Sequence, residues 1–161
     1  MAPAYTIRDG VDADIETIVA FTLQEALEAE GIEADETSVG RGVERAFGQA
    51  ALARYWMAET ANSQVVASVS VVTEWSNFHG GHYWWIQSLF IVSEHRGSGL
   101  VEQLIDHLAR AAAAAGALDV RLYASNLNER AIRAYGRCGF KVAPYVIMSR
   151  GRPTDESGAV P

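Results

Sequence analysis

The sequence predicts an α/β fold: a mixed, mainly antiparallel central sheet with helices on its faces. Three observations carry that expectation. Segments of β type run from Tyr55 to Glu59, Val65 to Thr73, Trp84 to Val92 and Leu118 to Ala124. Apolar stripes at helical spacing mark Ile15 to Leu27 and Leu100 to Ala115. Their order is a helical N-terminal part, an antiparallel β run, then strand, helix, strand, helix, strand. The chain has 161 residues, 49% hydrophobic and 20% charged, enough for one substantial core. A single domain is expected over 1–150, followed by a polar tail at 151–161 that is expected to be disordered.

Tyr5-Thr6-Ile7-Arg8 is a short alternating segment. Asp12 then stands where a helix N-cap belongs, with Asp14 and Glu16 in the first turn, where the helix dipole favours acids. Ile15, Ile18, Val19, Thr22, Leu23, Ala26 and Leu27 form the apolar face of that helix, which is expected to end near Gly31. The acidic run Glu28, Glu30, Glu33, Asp35 and Glu36 is a solvated surface or an attractor for a cationic ligand. Ser38 is the expected cap of a second helix, with Val39, Val43, Ala46, Phe47 and Ala50 facing inward. A hairpin follows with its turn at Ala61-Asn62-Ser63, and Gly80-Gly81 turns the chain into the central strand. The helix from Leu100 presents Leu100, Val101, Leu104, Ile105, Leu108, Ala111, Ala112 and Ala115 to the core and is closed by Gly116. Asn128 caps the last helix, and a final strand or strand pair is expected over Lys141 to Ser149, interrupted at Pro144.

The formal net charge of −7 argues against a grip on nucleic acid, which needs clustered Lys and Arg. It suits a cationic substrate, and solubility explains it equally well. Cys138 is the one cysteine, which excludes an internal disulfide and a multi-cysteine zinc site; it reads as a packed small residue. No run approaches a membrane span and no leader pattern opens the chain, so a cytoplasmic protein is expected. His79 and His82 flank the Gly80-Gly81 turn without a carboxylate cluster, and no metal site is expected.

The segment richest in chemistry is Trp84-Trp85-Ile86-Gln87-Ser88-Leu89-Phe90-Ile91-Val92, then Ser93-Glu94-His95, then Arg96-Gly97-Ser98-Gly99-Leu100-Val101. A glycine turn opening a helix presents unpaired N–H groups at the positive end of the dipole, a receptor for phosphate. Three phosphate-binding patterns compete for it. A nucleoside triphosphatase loop needs a lysine and then Ser or Thr after its last glycine, where Leu100 and Val101 stand, so that pattern fails. A dinucleotide fingerprint needs a small residue where Glu102 stands and a strand–helix–strand start that the antiparallel run replaces.

The third pattern resembles the GNAT superfamily of acyl-CoA-dependent N-acyltransferases. That family's signature is Arg or Gln, two free positions, Gly, one free position, then Gly or Ala. It falls on Arg96, Gly99 and Val101, with Val101 departing at the last place. A second block of the family is Asn, two positions, Ala, three positions, Tyr, and then Gly-Phe. It falls on Asn128, Ala131, Tyr135 and Gly139-Phe140. Either block alone arises by chance, whereas both in order, separated by a helix and a strand, make the match specific. More narrowly, Glu74-Trp75-Ser76 followed by Trp84-Trp85-Ile86-Gln87-Ser88 is similar to a bacterial subgroup of this superfamily.

The resemblance implies a GNAT-like mixed sheet, acetyl-CoA as cofactor, and acetyl transfer to a primary amine of a small molecule or protein by direct attack on the thioester. It implies that the pantetheine arm pairs with backbone around Phe90, Ile91 and Val92, beside an oxyanion-stabilising N–H at Leu89 or Phe90. The pyrophosphate would rest on Arg96, Gly97, Ser98, Gly99, Leu100 and Val101. Asn128 would cap its helix and bond the cofactor arm. Tyr135 matches the family's general acid, which protonates the departing thiolate; as plain structure it is a core tyrosine sharing a face with Ala131 and Ile132.

An alkylammonium with a solution pKa of about 10.4 needs a base or a desolvating pocket before it can attack. Glu74, near the end of the strand before the central one, is the candidate base or else a surface glutamate. Glu74, Trp75, Gln87 and Ser88 are the candidate substrate contacts, the last two because adjacent polar side chains in an apolar strand must each find a partner. Trp75, Phe78, Tyr83, Trp84 and Trp85 are candidates for an aromatic pocket around a cation, or for core and homodimer packing. Two other functions stay open: a coenzyme A-binding sensor or scaffold of the same fold, and a nucleotide-dependent oxidoreductase.

Overall fold

A computed structural model describes residues 4–151. Its five-stranded sheet has the order β1 (Thr6–Asp9), β2 (Arg54–Glu59), β3 (Val65–Ser76), β4 (Gly81–Ile91) and β5 (Asp119–Leu122). The first four strands are antiparallel, and β5 joins β4 in parallel. Parallel neighbours need a crossover, here supplied by α3 (Leu100–Ala114). Helices α1 (Ile15–Glu30) and α2 (Glu36–Gly48) lie between β1 and β2 in the chain, and α4 (Glu129–Arg137) follows β5.

The two faces of the sheet are covered by different helices. On one, Leu100, Leu104, Ile105, Leu108 and Ala112 of α3 are buried with Trp56, Ala58, Val69, Val71, Trp84 and Ile86. Each fully buried leucine contributes about 1.5–3 kcal/mol, so this stripe holds the crossover down. On the other, Ile18 of α1, Val43 of α2 and Met57 of β2 are buried together, and Phe47 stacks on Tyr55 at 5.2 Å. Cys138 and Phe140 pack against the α3 side of the core, as expected for Cys138.

Three local expectations need correction. Asp12 does not cap α1; Asp12–Asp14 form a 3-10 turn, and the carboxylate that is used is Asp14, which accepts the Val11 N–H at 2.9 Å and pairs with Arg8. A cation within reach decides which acid turns inward. Ser38 lies inside α2, because Asp35 accepts the Ser38 N–H at 2.8 Å and starts the helix earlier. The expected strand over Lys141 to Ser149 does not form: Val142, Val146 and Met148 are 95%, 83% and 89% exposed. Apolar β-type residues make a strand only where a second backbone takes their hydrogen bonds, and Pro144 lacks a donor altogether. The expected disordered tail lies, from 152 onward, outside the described residues.

One irregularity in the sheet positions the site. Ser70 stands opposite Ser88 and Val71 opposite Ile86, so Gln87 is an extra residue in β4. Such a bulge reverses the side-chain alternation along the strand. Ser88 and Phe90 therefore lie on the face under α1, and beyond the bulge that same face carries Trp85 and Tyr83, which stay partly exposed.

Candidate active site

Strands β4 and β5 pair only from Tyr83–Ile86 against Asp119–Leu122. Beyond Ile86 they part, and the rest of β4 keeps an edge that β5 does not cover. The hydrogen bonds show which groups point there. Val92 N–H bonds Val66 O of β3 at 3.0 Å, so Leu89, of opposite parity, directs its N–H away from β3, where Glu25 Oε1 accepts it at 3.1 Å. Of the residues expected along this edge, Phe90 has its ring buried against Phe21 at 4.9 Å, and Ile91 and Val92 pack against the core. Their side chains are structural; the Phe90 and Val92 backbones are turned to β3 and, for the Val92 carbonyl, to His95, so of the three expected residues only Ile91 keeps an N–H facing the gap.

Past the edge comes the glycine turn. Gly97 and Gly99 have φ of 75° and 82°, in the left-handed region, and a Cβ at either would meet nothing within 4 Å. The space over the α3 N-terminus is thus open to an anion. Ser98 Oγ donates to His95 O at 2.6 Å and accepts from Tyr5 Oη at 3.0 Å, tying the N-terminal segment to the turn. Arg96 points back: its Nε donates to Ile91 O at 2.8 Å and its Nη2 to Glu28 Oε2 at 2.6 Å. It orders the turn from behind. Leu100 is buried and Val101 packs against the core, leaving their backbones for the turn.

Glu25 is a residue at the uncovered edge that sequence reasoning missed. It lies seven residues after the buried Ile18, on the inner stripe of α1. Its Oε2 accepts the Ser88 hydroxyl, and its Oε1 the Leu89 N–H. Burial pushes its carboxyl above the usual range, against the pull of those two hydrogen bonds. The available signal was an acid on an otherwise apolar stripe.

Tyr135 of α4 is half-buried and meets Phe140 edge-on at 5.9 Å. Its phenol is pushed up to about 12, first by burial and then by the negative charge of nearby Glu25. It therefore keeps its proton at neutral pH. Asn128 caps α4 as expected, Oδ1 accepting the Ala131 N–H at 3.1 Å.

A cavity of about 320 Å³ opens on the uncovered part of the sheet, lined by Val72, Thr73, Glu74, Trp85, Ile86, Gln87 and Tyr123. Trp85 stacks on Tyr123 at 4.4 Å and donates its indole N–H to Glu74 Oε2 at 2.7 Å. Of the four candidate substrate contacts, only Glu74 and Gln87 share this cleft. Trp75 lies on the opposite face, bonded to Asn77 Oδ1 at 3.0 Å and edge-on to His82 at 5.1 Å. Ser88 is turned under α1. The aromatic group divides in the same way: Trp84 is buried in the core beside Trp56 at 6.0 Å, and Phe78 is 97% exposed in its turn. Tyr83 lies under the Arg121 guanidinium at 3.4 Å. Among the described residues there is no group of three or more His, Cys, Asp or Glu that could hold a metal, and no helix is long and apolar enough to cross a membrane.

The model of the acetyltransferase (GNAT) family matches residues 20–140. Among solved structures, a possible acetyltransferase from Clostridium difficile 630 is 24% identical, covers 93% of this chain and 99% of its own, and superposes with a TM-score of 0.86. A predicted acetyltransferase with acetyl-CoA from Clostridium acetobutylicum is 21% identical over 91% of this chain and 96% of its own, with a TM-score of 0.72. An aminoglycoside N-acetyltransferase in complex with CoA is 17% identical over 95% of this chain and 98% of its own, with a TM-score of 0.77. No curated protein matches the sequence. The matched stretch runs from within α1 to the Gly139-Phe140 pair after α4 and so takes in the parted strands, the glycine turn and Tyr135; the chain belongs to the acetyltransferase (GNAT) family.

Proposed function

We propose that the protein transfers an acetyl group from acetyl-CoA to a primary amine of a small molecule or a protein. The observation that carries this reading is the β4 edge left uncovered beyond Ile86, followed in the chain by an open glycine turn at the α3 N-terminus, with the proton-bearing Tyr135 phenol close enough to Glu25 on that edge to feel its charge. An extended amide-rich arm fits the edge as an added strand, and a pyrophosphate fits the N–H groups from Gly97 to Val101 at the α3 N-terminus. The Clostridium acetobutylicum and aminoglycoside acetyltransferase structures, with acetyl-CoA and CoA respectively, support the same ligand here.

When bound, acetyl-CoA supplies an activated acetyl thioester. The chain's own residues then divide the work. Backbone at Ile91, which with Leu89 faces the gap, orients the arm and Asn128 bonds it, while Arg96 holds the turn in shape. The Leu89 N–H, directed into the gap, stabilises negative charge on the acetyl oxygen. Tyr135 holds the proton destined for the departing sulfur. Glu74 and Gln87 bind the acceptor in the cleft, beside the Trp85–Tyr123 stack. Glu74 is exposed, which suits it to holding an ammonium group at the water boundary.

Calorimetric titration with acetyl-CoA, CoA and NAD, followed by free-thiol release with a panel of amines, tests the proposal. Acetyl-CoA binding with thiol release from some amines is expected. Binding of NAD alone overturns the reading, and acetyl-CoA binding without thiol release from any amine points to a coenzyme A sensor. For Glu74→Gln, the KM of a cationic acceptor is expected to rise about two- to fivefold, the scale of an exposed ion pair, with kcat held. An unchanged KM removes Glu74 from the cleft's function.

A further inference from the structure

Glu25 stands in the gap where this reaction would occur. It projects from α1 onto the uncovered edge of β4, with Oε2 on the Ser88 hydroxyl and Oε1 on the Leu89 N–H at 3.1 Å. The Tyr135 phenol lies near enough to feel its charge. We propose that the Glu25 carboxylate and the acetyl carbonyl of the thioester alternate on the Leu89 N–H, and that the carboxylate so displaced accepts the proton of the incoming amine. The proposal rests on the acetyltransferase reading above and names its proton acceptor.

Competition follows from the geometry. Leu89 has one N–H, and a carbonyl oxygen that takes it must displace Glu25 Oε1. Glu25 is also better suited than Glu74 to receive a proton, because it is half-buried and Glu74 is exposed. Among the described residues no cation is placed to hold it ionised. Glu30 of its own helix adds negative charge, Tyr135 of α4 is a neutral phenol, and β4 presents only Ser88, Leu89 and Phe90. After β4, His95 is bonded to Tyr5 Oη at 2.9 Å and Arg96 is engaged by Glu28 at 2.6 Å. Burial already raises the Glu25 carboxyl and the Leu89 bond lowers it, so loss of that bond raises it further.

The step balances as follows. The ammonium gives one proton to Glu25, and the freed nitrogen pair forms the C–N bond to the acetyl carbon. The C–S bond breaks with its electron pair on sulfur, which takes the Tyr135 proton. The second nitrogen proton restores Tyr135, and Glu25 releases its proton to solvent as the products leave, one per turnover.

The test is calorimetric titration of the full chain with acetyl-CoA, in buffers of different ionisation enthalpy, from about pH 5 to pH 8. At the acidic end of this range wild type is expected to take up more protons on binding than Glu25→Gln, with the difference falling toward zero by about pH 8, where the displaced carboxylate is free to accept the amine's proton. The phosphomonoester of the ligand, with a second pKa of about 6, contributes to both proteins and cancels in the difference. In turnover, Glu25→Gln is expected to lose the acidic limb of kcat/KM and about 10²–10⁴ in rate. Equal proton uptake in the two proteins at the acidic end of the range, or an acidic limb that survives the substitution, overturns the proposal. Ser88→Ala decides the matter if Glu25→Gln fails to fold. It removes a hydrogen bond that favours the carboxylate, so the acidic limb is expected to move to higher pH; an unmoved limb overturns the proposal. Failure of wild type to bind acetyl-CoA at all would instead overturn the acetyltransferase reading on which it rests.

Discussion

Tyr135→Phe is expected to lower kcat by about 10²–10⁴-fold, the range for loss of a positioned general acid, while the Kd for acetyl-CoA stays within about twofold. The substitution removes one oxygen and leaves the ring where it is. The edge-on contact with Phe140 at 5.9 Å survives, as does the Asn128 cap that positions α4, so little of the fold is disturbed. What disappears is a proton held firmly at neutral pH, since the phenol is displaced to about 12 by burial and by Glu25. For the same reason wild type is expected to show no descending limb from Tyr135 near pH 10, where a free phenol ionises. Pre-steady-state thiol release separates chemistry from product release. An unchanged chemical step in Tyr135→Phe removes the hydroxyl from the mechanism.

The parts of this site that were legible in the sequence are those whose signal is local. Gly97 and Gly99 declare a turn by their freedom at positive φ, α3 declares itself by its apolar period, and Asn128 by its capping position. What was not legible depends on contacts between elements distant in the chain. Gln87 and Ser88 drew notice as adjacent polar residues, yet the strand alone does not show that one is a bulge facing the cleft and the other lies under α1. Glu25 becomes informative only once α1 is laid against β4, 63 residues on, where Ser88 meets it. Trp84 and Trp85 are equivalent in composition and opposite in fate, because strand alternation sends one into the core and the other to the cleft. The segment from Lys141 has the composition of a strand without a partner backbone, and pairing is what composition cannot supply.

The second large effect is expected far from the cleft, at the point where α1 is anchored to the sheet. Arg8→Met is expected to cost about 3 kcal/mol of stability at neutral pH, the lower end for removing one partner of a buried pair. Arg8 grips Asp14 with both terminal nitrogens, at 2.7 and 2.9 Å, and reaches Glu59 with Nε at 2.7 Å. Asp14 is only 5% exposed and also accepts the Val11 N–H, so without the guanidinium a carboxylate stays buried with one donor. The sign of the pH dependence follows from Asp14. In wild type, hydrogen bonding from Arg8 holds its carboxyl below the usual range, so this stabilisation is complete above the unfolded carboxyl pKa of about 3.9 and is lost as pH falls through the lower folded value. In the variant, burial without the cation favours the neutral acid, so the deficit should be largest at neutral pH and shrink toward about pH 4. Urea melts at the two pH values check this, and a deficit independent of pH would show that Asp14 does not carry it. Because α1 also carries Glu25, Arg8→Met should loosen the Glu25–Leu89 contact in the folded protein. Arg8→Met paired with Asp14→Asn, which removes the stranded charge and keeps an acceptor for Val11, should recover part of both losses.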